Sequence, residues 1–171
     1  MSDVTKVLPS MPEEFKPLIH NTINQVNDEY ARQWQNRKLS KRIRDEFTEK
    51  IDPLKTKRGD FVRSKSELII ADKLFDADVP YFYEVRKDIP GKREHFFPDF
   101  LVLNRNTRQE LLWEHFGMLD NEDYVRATQR KLSEYAKMGY FPGKNMIVTF
   151  ESAGVPLDTE YIDILIKEYL K

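Results

Sequence analysis

The sequence contains no cysteine. That excludes disulfides, thiolate metal sites and cysteine nucleophiles, and it fits an intracellular, cytoplasmic protein. No apolar run approaches ~18 residues, so no helical membrane span is expected. Met1-Ser2-Asp3-Val4 lacks the basic and then apolar segments of a secretory leader. There is also little net charge, −1 over the 171 residues, so the composition as a whole does not single out an anionic partner. What is present is a 40% hydrophobic fraction with 12% aromatics, enough for a packed core in one domain. Charge is unevenly spread. Residues 32–65 hold twelve Lys/Arg and five Asp/Glu, a net of +7, which leaves −8 for the rest of the −1 total. Such asymmetry marks either a phosphate-binding face or a solvated helix of mixed charge.

Pro9, Pro12 and Pro17 make residues 1–20 read as an extended lead-in. From Asn21 to Lys50 there is neither Gly nor Pro, and apolar residues recur at helical spacing. Ile23, Val26, Tyr30 and Trp34 form one stripe; Leu39, Ile43, Phe47 and Ile51 form a second, in one bent helix or two. Lys55 to Asp60 reads as a basic loop. Ser64-Lys65-Ser66-Glu67 has the spacing of a capping box, with a helix following it to Val79-Pro80. Tyr81 to Ile89 and Glu94 to Leu103 read as strands around a Pro90-Gly91-Lys92 turn, Glu110 to Phe116 as a third strand. Asn121 to Lys137 is an amphipathic helix, Met146 to Phe150 a short apolar strand and Asp158 to Leu170 a last helix. The fold class expected is α/β: a small mixed sheet of about four strands flanked by helices. Residues 1–60 form an N-terminal helical extension and residues 61–171 the core.

Two acids interrupt the apolar strands: Asp99 in Phe96-Phe97-Pro98-Asp99-Phe100 and Glu114 in Leu112-Trp113-Glu114-His115-Phe116. An unpaired carboxylate is expensive to bury. Pro98 cannot donate to a sheet ladder, so it predicts a bulge or an edge beside Asp99. A short turn makes the two strands an antiparallel pair, and alternation then allows Asp99 and Glu114 to be cross-strand neighbours. Facing carboxylates repel, and a bridging cation makes the arrangement reasonable.

Glu67 on a helix, Pro98-Asp99 on one strand and Glu114 on the next resemble the PD-(D/E)xK nuclease superfamily. The order helix, three strands, helix, strand is similar to that superfamily's restriction-endonuclease-like core, over roughly residues 62–151. Arg63-Ser64-Lys65-Ser66-Glu67, Tyr83-Glu84, Phe97-Pro98-Asp99-Phe100 and Trp113-Glu114-His115-Phe116-Gly117 look like one of its bacterial or phage-associated branches. The chain departs from the usual pattern at Phe116, where a lysine is expected. The stripe Tyr124, Ala127, Thr128, Lys131, Tyr135 and Met138 offers Lys131 as the displaced amine; His115 is the second substitute.

The resemblance implies a DNA-hydrolysing enzyme, an endonuclease, using Mg²⁺ or Mn²⁺ held by Asp99, Glu114 and the backbone carbonyl of His115. It implies Lys131 beside the reacting phosphate, Glu67 completing the metal shell, and Arg63 and Lys65 on flanking phosphates. Phe116 motivates the alternative, a non-catalytic nucleic-acid-binding module with the same fold. A third reading takes the N-terminal stripes and Trp34 as a homodimer or docking surface, in this chain alone or in a larger complex. The structural counterparts of these readings are a capping-box Glu67, an Asp99 bonded to backbone at a turn or bulge, a Glu114 paired with a buried Arg, and a Lys131 that packs its stem and solvates its charge.

Overall fold

Ser64 decides where the first core helix begins. Its hydroxyl accepts the Glu67 N–H, and the Glu67 carboxylate returns to the Ser64 N–H at 3.0 Å, the reciprocal capping box expected from the sequence. The computed structural model describes residue 9 and residues 11–40, 52–89, 91 and 93–171. Along these run α1 (Lys16–Gln35), β1 (Leu54–Lys55), β2 (Phe61–Val62), α2 (Lys65–Asp76), β3 (Tyr81–Tyr83), β4 (Lys87–Asp88) and β5 (His95–Phe96). They are followed by β6 (Phe100–Leu103), β7 (Glu110–Phe116), α3 (Glu122–Lys137), β8 (Met146–Phe150) and α4 (Thr159–Leu170).

The protein is mixed α/β, with a central sheet of four strands in the order β3-β6-β7-β8. β3, β6 and β7 pair antiparallel, while β8 lies parallel to β7. A parallel neighbour needs a crossover, and α3 supplies it. Both faces of the sheet are covered, so β6 reads as an unbroken apolar run and sends alternate residues to opposite sides. Phe100 and Val102 meet Ile70 and Leu74 of α2 and Ile162 and Ile166 of α4. Leu101 and Leu103 meet Ala31 and Trp34 of α1 and Tyr135 of α3. Two small ribbons, β1-β2 and β4-β5, stand outside this sheet. Among the described residues, no helix is long and apolar enough to cross a membrane.

Several boundaries differ from the sequence reading. The extended lead-in ends early, because α1 starts at Lys16 and takes Pro17 into its first turn, where a missing N–H costs no helix bond. The helix then stops at Gln35. Of the second stripe, Ile43, Phe47 and Ile51 lie outside the described residues, as do Pro90 and Lys92 of the turn. The inward face of α1 is Asn27, Ala31 and Trp34, whereas Val26 is exposed. The stripe is rotated because Trp34 seeks Phe82, 4.6 Å away between ring centres, and its indole N–H seeks Glu110 Oε1 at 2.8 Å. A buried Trp34 is no docking aromatic. The basic loop at Lys55 to Asp60 is held between β1 and β2. The strand expected over Tyr81 to Ile89 breaks at Glu84, whose φ is 45°, a left-handed conformation that ends a ladder. The strand expected from Glu94 to Leu103 breaks between Phe96 and Phe100, around Pro98.

Trp34→Ala removes a buried ring and its bond to Glu110. A loss of about 3–5 kcal/mol is expected from urea unfolding; an unchanged midpoint would show that α1 is dispensable to the core.

Candidate functional site

The β6–β7 register places Phe100 opposite Trp113. One step further along each strand, Asp99 stands opposite Glu114, and the next step sets Pro98 opposite His115. Backbone polar groups alternate sides along a strand. Leu112 N–H reaches Asn145 O and Phe116 O accepts from Glu151 N, so these residues bond toward β8. His115 therefore turns its N–H and C=O toward β6. There the ladder partner is Pro98, which has no N–H to give the His115 carbonyl, and among the described residues no other donor replaces it. The His115 N–H itself goes to the Asp99 side chain, to Oδ2 at 2.8 Å.

Glu114 shares a face with Leu112 and Phe116 and is fully buried. α3 answers it. Lys131 Nζ donates to Glu114 Oε2 at 2.6 Å, and the Tyr135 hydroxyl, one helical turn on, donates to Oε1. The sequence reading had Tyr135 packing on the sheet, and its spacing of four from Lys131 was the signal that it shares Lys131's target. The Lys131 side chain is 43% exposed although its partner is not, so the amine bridges the buried acid and solvent.

Burial pushes the Asp99 carboxyl up to about 8, helped by the neighbouring Glu114 charge and opposed by Lys131 and the His115 N–H. Burial also raises Glu114, against Lys131 and Tyr135. Burial works against the Lys131 ammonium, but Glu114 and Asp99 outweigh it and hold the amine above the ordinary lysine range. Both acids of the pair are therefore held above the ordinary carboxylate range, and Lys131 opposes the shift at each. Oδ1 of Asp99 accepts no hydrogen bond from the described residues. Besides the two carboxylates, the His115 carbonyl is the hard oxygen donor aimed at this gap. Among the described residues, no three His, Asp or Glu side chains are grouped so as to hold a metal ion.

Glu67 stands apart from this pair. Its Oε2 takes the Arg63 and Ser64 N–H groups and the Tyr83 hydroxyl, at 2.8, 3.0 and 3.0 Å. Its charge nevertheless reaches Asp99 and raises it. Arg63 turns inward, 2.6 Å from Glu84 and 3.7 Å from Glu67. Lys65 is exposed on the first turn of α2. The described structure therefore brings Asp99, Glu114, Lys131 and the His115 backbone together. It sets Glu67 and Arg63 in an adjoining network and leaves Lys65 outside. Glu84, buried in that network, donates its N–H to the Asp99 carbonyl at 3.0 Å. The sequence reading quoted Tyr83-Glu84 only for the resemblance and gave Glu84 no role, since nothing local signals its left-handed backbone. His95 and Phe97 meet edge to face, 5.3 Å between centres, just before Pro98.

The chain is similar to the uncharacterized protein MJ1519 of Methanocaldococcus jannaschii, 33% identical over 86 residues. The match covers 50% of this chain and 7% of that protein. No family model matches the chain, and no solved structure matches it.

An Asp99 raised from 3.8 to about 8 holds its proton in the folded state across a range where the unfolded chain releases it. Its contribution is therefore complete below pH 4 and is lost as pH rises toward 8. Asp99→Asn carries no such loss. The variant is expected to equal the wild type in acid and to exceed it by about 5 kcal/mol at pH 8. Thermal melts from pH 4 to 9 check this, and parallel curves would refute the buried-acid assignment.

Proposed function

We propose that the chain is a metal-dependent nuclease that hydrolyses phosphodiester bonds of DNA on a restriction-endonuclease-like core of the PD-(D/E)xK type. One observation carries the reading: Asp99, Glu114 and Lys131 converge where β6 and β7 part, with the His115 carbonyl beside them. An acid pair with both carboxyls raised, and beside it an Asp99 oxygen and a His115 carbonyl that take no donor from the described residues, suit a small hard cation. Such ions need few protein ligands, because water and phosphate oxygens fill the remaining positions. Asp99, Glu114 and the His115 carbonyl would hold Mg²⁺ or Mn²⁺. Bound there, the ion supplies positive charge against the phosphate and acidifies water.

The chain's own residues do the rest. Lys131 keeps one side on Glu114 and the other open to solvent, which lets its ammonium orient the attacking water or stabilise charge on the transition-state phosphate. Tyr135 fixes the second Glu114 oxygen and so sets the plane of the carboxylate. Glu67, tied to the α2 cap and to Tyr83, adds negative charge at the rim without leaving its bonds. Lys65 is placed to meet a flanking phosphate, while Arg63 serves Glu84 and Glu67 first.

A second reading is favoured by Phe116. Where the pattern expects lysine, its ring is buried and stacks on Phe150 at 5.6 Å. That arrangement suits a nucleic-acid-binding module that keeps the fold without turnover. A panel of DNA and RNA substrates with Mg²⁺, Mn²⁺ or chelator distinguishes the two. Metal-dependent cleavage of DNA is expected, abolished in Asp99→Ala and Glu114→Ala, with kcat lowered about 100-fold or more in Lys131→Ala. Full activity in Asp99→Ala would end the nuclease reading. Tight DNA binding without Mn²⁺ uptake would establish the module.

A further inference from the structure

We propose that Glu151, acting through Ser66 and the His115 ring, is a positioning residue that sets where the His115 backbone stands against Asp99. The effect on turnover rests on the nuclease reading above; the effect on geometry does not.

His115 works on both sides of the sheet. Its backbone faces Asp99 and the gap opposite Pro98. Its ring, on the opposite face from Glu114, is 5% exposed. Nδ1 lies 3.0 Å from Thr149 Oγ1, and the same hydroxyl accepts the Trp113 indole N–H at 3.2 Å. With that lone pair used, the Thr149 hydroxyl proton is free to go to Nδ1. The ring hydrogen then belongs on Nε2, a tautomer assigned from the network. Nε2 points at Glu151 Oε1, 3.3 Å away, a loose approach with no well-aligned acceptor behind it.

Glu151 is held in turn from two directions. Its backbone N–H bonds Phe116 O at 2.9 Å, which places it directly past the parallel β7–β8 pairing. Its carboxylate receives the Ser66 hydroxyl, 2.8 Å from each oxygen. Ser66 sits in the first turn of α2, one residue before Glu67. A continuous run of polar contacts therefore leads from the helix that carries Glu67, through Glu151 and the imidazole, to the strand whose amide holds Asp99.

Gly117 belongs to the same device. A Cβ there would lie 3.1 Å from Glu151 Oε1 and 3.3 Å from His115 Nε2. A side chain there would make the acid or the imidazole give way by a few tenths of an ångström. Each residue of Trp113-Glu114-His115-Phe116-Gly117 then has a physical task. Trp113 occupies Thr149, Glu114 takes Lys131, His115 spans the sheet, Phe116 closes the apolar floor and Gly117 makes room.

An apolar set would fill this space at less electrostatic cost, but dispersion has no direction. Polar contacts are directional where dispersion is not, and partners behind a ligand set its geometry in the same way that outer-shell groups do around metals. A network that only stabilised the fold would leave kcat and the His115 amide untouched once folding was assured.

The test compares wild type, Glu151→Ala, Glu151→Gln and Ser66→Ala as full-length chains. Three quantities are read: hydrogen exchange of the His115 amide, Mn²⁺ affinity by calorimetry, and kcat and KM on duplex DNA. Glu151→Ala is expected to speed His115 exchange, weaken Mn²⁺ binding and lower kcat, each by about 10-fold or more, with KM little changed. Glu151→Gln keeps an oxygen for His115 and Ser66 and is expected to restore most of each. Ser66→Ala gives a smaller effect of the same kind, and stands in if Glu151→Ala does not fold. His115 exchange within about twofold of wild type in both Glu151→Ala and Ser66→Ala overturns the proposal, whatever the activity. If the wild type neither cleaves DNA nor binds Mn²⁺, the nuclease reading fails, and His115 exchange alone decides the clamp.

Discussion

A carboxylate with no solvent exposure, Glu114, is the constraint around which the rest is arranged. Left unpaired it would be neutralised or expelled. The chain resolves this by crossing over the sheet with a helix that carries two donors one turn apart. Lys131 and Tyr135 each take one oxygen, which fixes the rotation of α3 about its axis as well as the plane of the acid. Because α3 is also the crossover that makes β8 parallel to β7, the pairing couples the sheet's topology to the charge at its centre. A slip of one residue in β7 would turn Glu114 to the α2 side, where Ile70, Leu74 and Ile162 offer it nothing.

The second acid follows from a backbone defect rather than from a side-chain partner. Pro98 ends the β6–β7 ladder one pair before it would otherwise close. Pro98 has no N–H for the His115 carbonyl, which takes no donor from the described residues, and the His115 amide bonds the Asp99 carboxyl. A clamped carboxyl and that carbonyl thus meet at the same gap. Burial and repulsion from Glu114 then keep Asp99 protonated to an unusual pH. A site of this kind holds stored electrostatic cost that a cation or a proton relieves, which is why its stability and its chemistry are read by the same titration.

What the sequence made legible was local. The Ser64 cap, the β7 strand and the face of α3 carrying Lys131 all follow from spacing within one element, and all stand close to where spacing puts them. The break at Pro98 was legible for the same reason. The illegible parts depend on partners far along the chain. Ser66 and Glu151 are 85 residues apart and look like an ordinary helix residue and an ordinary strand end. Glu84 adopts a left-handed backbone with no glycine to announce it. The buried stripe of α1 is rotated because Trp34 answers Phe82 and Glu110, which no periodicity encodes. Tyr135 was visible as apolar, and only its hydroxyl's partner was hidden.

Phe116, where the superfamily pattern expects a lysine, takes on a different meaning beside Lys131. The ammonium lies 5.8 Å from the Phe116 ring and 5.8 Å from the Tyr135 ring. Aromatic faces attract a cation without offering it a proton acceptor. They hold Lys131 over the acid pair and leave Glu114 as its hydrogen-bonded partner. A lysine at position 116 would rise from the strand itself, on the same face and two residues beyond Glu114. Supplied from α3 instead, the amine approaches from above the sheet and its stem is free to move with the helix. Position 116 on the strand is then apolar floor, stacked on Phe150. A charge on the helix and an aromatic beneath it go together, because the ring attracts the ammonium without competing with Glu114 for its protons.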